Sequence, residues 1–101
     1  MRKDSDNVRL LEPGEAPAKR KILVVEDNEL NREILSSFLE EKFDVILAEN
    51  GEEGLKILGE HYRELSVVLL DICMPVCDGF EFLRRRNKDK LLSTIPVIVM
   101  T

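Results

Sequence analysis

Three acids and one hydroxyl stand where apolar runs end. Glu26 and Asp27 follow ILVV at 22–25, Asp71 follows VVLL at 67–70, and Thr101 follows VIVM at 97–100. A carboxylate is an oxygen ligand for a hard cation, and once a cation offsets the charge it can attack phosphorus to give an acyl phosphate. If the runs are neighbouring strands, about 4.8 Å apart, carboxylates at their ends repel one another strongly and need a positive group between them. Mg²⁺ is the expected one, because it accepts a few carboxylates alongside water and phosphate. Asp71, alone at its strand end, is the expected nucleophile, and Glu26 with Asp27 the metal-binding pair. Any one of these acids could simply cap a helix or open a turn. Three acids brought to one edge, with a hydroxyl on the next strand, is a far more demanding coincidence.

Something must bring them there. The run at 22–25 has the unbroken β-rich character of a strand buried on both faces of a parallel sheet. Asn28 is a candidate N-cap for a helix in which Leu30, Ile34, Leu35, Phe38 and Leu39 recur at helical spacing. Residues 44–48 suggest a second strand, and Asn50-Gly51 a turn into a helix burying Leu55, Ile57 and Leu58 and weakened near its end by Gly59. Residues 67–70 form a third strand, followed by a loop with Pro75 and Gly79 and a helix with Phe80, Phe82 and Leu83 on its apolar side. Residues 93–96 lead into a fourth strand at 97–100. Strands alternating with helices predict a doubly wound parallel sheet with right-handed crossovers and helices on both faces. In such a sheet chemistry collects beyond the carboxyl ends of the strands, where strand order reverses.

Composition limits the remaining possibilities. With 101 residues, 44% hydrophobic and 35% charged, one modest core is expected and two are not. A formal charge of -5 argues against a dedicated nucleic-acid binder. Residues 1–19, with Pro13, Gly14 and Pro17, show no sustained period and suggest a flexible leader. Cys73 and Cys77 are too few for a secreted disulfide framework, no apolar signal segment opens the chain, and no apolar run spans a bilayer, so a cytoplasmic location is expected. With His61 alone elsewhere, the cysteines form no zinc set of recognised spacing. Arg84, Arg85 and Arg86 suggest a solvated helix face, and His61 a surface position.

The stretches KILVVEDNELNREIL (21–35), AENGEEGL (48–55), VVLLDICMPVCDGFEFL (67–83) and IPVIVMT (95–101) together resemble the receiver domains of bacterial two-component response regulators. The resemblance implies a flavodoxin-like α/β fold of strand order 2-1-3-4-5, with the receiver over residues 20–101. It implies Asp71 as phosphoacceptor, fed by a sensor histidine kinase or a phosphotransfer protein. Asp27 would bind Mg²⁺ directly and Glu26 often through water. The Cys73 backbone carbonyl would be a further ligand, and Thr101 the switch hydroxyl that turns toward the phosphoryl group. The protein would then be a switch and not an enzyme acting on a separate metabolite.

A full receiver continues beyond that threonine with a helix, a fifth strand bearing a lysine, and a final helix. The sequence is therefore expected to form a receiver truncated after the fourth strand, with that strand exposed and open to self-association by edge pairing. A degenerate receiver serving only protein association is the alternative. A haloacid-dehalogenase-type phosphatase would need a second Asp at position 73, where Cys73 stands, and no phosphate-binding glycine loop occurs.

Overall fold

A computed structural model describes residues 19–72, 74 and 78–100. Its elements run β1 (Arg20–Val25), α1 (Glu29–Leu39), β2 (Phe43–Ala48), α2 (Gly51–His61), β3 (Leu65–Asp71), α3 (Gly79–Asn87) and β4 (Val97–Met100). A 3₁₀ turn, Leu92–Thr94, precedes β4. Residues 1–18, most of the expected leader, lie outside the described residues. Lys19 donates from Nζ to the Glu40 carbonyl at 2.8 Å, so a cation meets the orphan carbonyls at the end of α1.

All strand pairs are parallel, in the order β2-β1-β3-β4. The chain first winds from β1 outward to β2 and then returns past β1 to β3. Right-handed crossovers therefore send α1 to one face and α2 and α3 to the other. Leu23, Val25, Val68 and Leu70 form the main core with Leu58 of α2 and Phe82 of α3. Ile22 and Val24 alternate with them and are equally buried, on the α1 side. This is the flavodoxin-like α/β architecture.

Each helix starts on a side-chain cap. Asn28, Asn50 and Asp78 each accept, at 2.9 Å, from the amide three residues on, that of Asn31, Glu53 and Glu81 respectively. These helix starts all follow carboxyl ends of strands, so the positive ends of the helix dipoles gather at the edge that also carries the acids.

Three details depart from the periodicities. Phe80 and Phe82 do not share an apolar side: Phe82 is fully buried and Phe80 is 70% exposed. Positions two apart on a helix diverge by about 200°, and only Phe82 points at the sheet. In α1 the sheet takes the half-buried Leu35 and Leu39 side, while Leu30, Ile34 and Phe38 form an exposed stripe. The arginine run at the end of α3 is a solvated face at Arg84 and Arg85, as expected, but Arg86 turns inward. Arg84 pairs with Glu81 and Arg85 with Glu52 of α2, while Arg86 donates to the Ser93 carbonyl at 2.9 Å and to that of Ile95. His61 ends α2, with Nδ1 3.1 Å from Glu64 Oε1.

Two glycines of α2 test the packing. A Cβ on Gly54 would stand 2.8 Å from Val25 Cγ2 and 3.1 Å from Phe82, whereas one on Gly59 meets nothing within 4 Å. Gly59→Ala should stabilise the chain by about 0.5–1 kcal/mol through helix propensity alone. Gly54→Ala should destabilise it by about 1–3 kcal/mol through overpacking. Denaturant midpoints of both variants check this, and like signs at the two positions would contradict the packing of α2 on β1.

Candidate metal centre

Strand order reverses between β1 and β3, and the acids meet there. Val25 pairs in register with Leu70, so the next residues, Glu26 just past β1 and Asp71 as the last residue of β3, stand side by side. Glu26, Asp27 and Asp71 each offer a carboxylate oxygen within 4.8 Å of the other two. Glu26 is only 6% exposed, Asp71 is partly buried and Asp27 is exposed. The expected convergence of these three is therefore present. Cys73 and Thr101, the other two expected site residues, lie outside the described residues.

Glu26 is held at its amide, its carbonyl and its carboxylate. Its amide donates to the Ala48 carbonyl at 3.1 Å. Its Oε2 accepts from the Asn28 amide at 3.2 Å, and its carbonyl accepts from Arg32 Nη1 at 2.9 Å. Burial raises the pKa of its carboxyl above the ordinary 4.5. The Asn28 amide opposes that shift, while the charge of Asp71 and hydrogen bonding with Asp71 and Asp27 reinforce it.

The Asp71 end is shaped by a close approach. Gly79 donates its amide to the Ile72 carbonyl at 3.0 Å, and a Cβ there would fall 2.5 Å from Ile72 Cα. Only a glycine lets α3 begin this near the end of β3. Met74 is buried and joins the main core. Sequence reading overlooked Arg32 and the steric role of Gly79. The Asp-Gly pair opening a helix directly after the strand-three loop was the available signal for Gly79, while nothing local marked Arg32.

Three oxygen donors of like charge, one of them desolvated, fit a hard divalent cation. Without one, they impose a repulsion that protonation of Glu26 can relieve.

Residues 22–101 match the family model described as the response regulator receiver domain. The chain is 38% identical over 82 residues to Protein PilH of Pseudomonas aeruginosa, covering 80% of this chain and 66% of that one. It is 43% identical over 82 residues to the transcriptional regulatory protein CpxR homolog of Haemophilus influenzae, covering 80% of this chain and 34% of the relative. Both relatives extend well beyond the shared region. Among solved structures, the signal receiver domain of a signal transduction histidine kinase from Syntrophus aciditrophicus superposes with a TM-score of 0.75 at 32% identity, over 81% of this chain and 61% of that one. The Vibrio cholerae chemotaxis protein CheY4 gives 0.74 at 28% identity, over 81% and 68%. The fold and the family match thus define a receiver-type α/β module. The chain belongs to the response regulator receiver domain family.

A raised Glu26 pKa stabilises the fold below about pH 4.5, the unfolded value, and that contribution is lost as pH rises through the folded value. In metal-free buffer, Glu26→Gln should therefore be more stable than the parent at pH 7, and the gap should close near pH 4. Thermal melts across this range check it. Parent and variant melting together at pH 7 would contradict the repulsion.

Proposed function

We propose that residues 20–101 act as the phosphoacceptor module of a two-component phosphorelay, with Asp71 as acceptor, residues 1–19 as a leader, and a cytoplasmic location. The observation that carries this reading is the meeting of Glu26, Asp27 and Asp71 carboxylate oxygens within 4.8 Å at the switch point of a receiver-family sheet. The donor partner is a phosphohistidine on a sensor histidine kinase or a phosphotransfer protein. An Asp71 carboxylate oxygen attacks phosphorus, a P–O bond forms as the P–N bond breaks, and the released imidazole takes a proton from solvent. Glu26, Asp27, Asp71 and the Cys73 carbonyl would hold Mg²⁺, which when bound offsets the charge of the acids and of the incoming phosphoryl oxygens. Thr101 is assigned the switch hydroxyl. The protein turns over no separate metabolite in this reading and is not an enzyme. Among the described residues, no helix is long and apolar enough to cross a membrane.

One observation favours a second reading, association without phosphorylation. Ile98 is 55% exposed and Val99 42% exposed on β4, the outer strand of the described sheet. Such a strand can pair with a second copy.

Two measurements separate the readings. With acetyl phosphate and Mg²⁺, intact mass should show one phosphoryl group on the parent and none on Asp71→Asn. A folded parent that stays unmodified supports association alone, and a modified variant moves the acceptor elsewhere. In calorimetric Mg²⁺ titrations, Asp27→Ala should weaken binding more than Glu26→Ala, and equal affinities in both variants and the parent would remove these acids from the ligand set.

A further inference from the structure

Arg32 reaches back from the second turn of α1 and donates from Nη1 to the carbonyl of Glu26 at 2.9 Å, in a partly buried setting. That carbonyl and the Asp27 amide belong to one rigid peptide plane. The plane joins the two adjacent acids, so its rotation sets where both carboxylates point. The Glu26 amide, on the preceding plane, is already held by Ala48. The Glu26 side chain is held by the Asn28 amide. Among the described residues, Arg32 supplies the side-chain bond that holds the plane between Glu26 and Asp27.

We infer that Arg32 is a positioning residue for the cation site: it fixes the Glu26–Asp27 peptide and thereby the aim of both ligands. This rests on the metal reading proposed above. Positioning and simple electrostatics predict opposite effects of Arg32 on Mg²⁺ affinity. A guanidinium bonded to the peptide between Glu26 and Asp27 adds positive charge beside a cation site, so removing its charge alone should tighten Mg²⁺ binding. Loss of a positioning contact should weaken it, as happens when supporting groups around metal ligands are lost.

The test uses the full chain with Arg32→Met, which keeps length but loses donor and charge, and Arg32→Lys, which keeps a donor and the charge. Calorimetric titration with Mg²⁺ should show Arg32→Met about 10-fold or more weaker than the parent, and Arg32→Lys should recover much of the loss. Denaturant melts without metal establish that both variants are folded. Amide exchange in metal-free buffer is the second readout: Asp27 and Asn28 should exchange faster in Arg32→Met while Leu23 and Val24 do not. Equal or tighter Mg²⁺ binding by Arg32→Met would overturn the inference, as would unchanged exchange at Asp27. If the parent binds no Mg²⁺, the metal reading fails, and the exchange result alone still decides whether Arg32 holds the loop.

Discussion

Carboxylates of Glu26, Asp27 and Asp71 are driven together by hydrophobic burial acting elsewhere. Val24, Val25, Val68 and Leu70 are all fully buried, and their parallel register leaves no freedom to separate the strand ends that follow. The apolar area removed from water stabilises the sheet at roughly 25 cal/mol per Å², and the acids tolerate one another as a consequence. Glu26 bears most of this strain, because it is both desolvated and next to Asp71. Repulsion of this kind favours uptake of positive charge, whether a proton or a divalent cation.

The surroundings restrain the site without neutralising it. Three capped helices begin near this edge, and backbone amides at Asn28 and Ala48's partner Glu26 anchor the β1–α1 turn. On the other side, Gly79 allows α3 to start against Ile72, so Asp71 projects from a backbone clamped by close packing. The ion pair between Glu52 and Arg85 ties α2 to α3, and that bond lowers the pKa of the Glu52 carboxyl. It is solvent-exposed and contributes little beyond orientation.

Much of this was legible in the residues. The apolar runs marked β1 and β4 to within a few residues, and Asn28 and Asn50 marked helix starts, because strand burial and capping are local properties. Convergence of the three acids followed from strand alternation, since a parallel sheet puts every strand's carboxyl end on one edge. Exposure was not legible in the same way. The stripe of Leu30, Ile34 and Phe38 looks like a core face by spacing, yet Phe38 is 78% exposed, because the described sheet covers only the neighbouring Leu35 and Leu39 side. Periodicity reports that a helix is amphipathic but not how much of its apolar arc is covered. β3 begins at Leu65, two residues before the apolar run suggested, because pairing with Lys21 extends the strand through the polar Ser66. Arg32 was invisible for a related reason: its partner is a backbone carbonyl, which carries no sequence signature.

In the proposed reading, three acids from two strand ends form one cation site. Manganese can stand in for magnesium at carboxylate sites, and its unpaired electrons broaden nearby amide resonances. An NMR titration of the full chain with substoichiometric Mn²⁺ should broaden residues 26–28 and 71–72 together and first, leave Gly59 and Lys42 sharp, and be reversed by excess Mg²⁺. Broadening scattered over other acids such as Glu40, Glu41 and Glu60, or confined to one strand end and indifferent to Mg²⁺, would contradict a shared site.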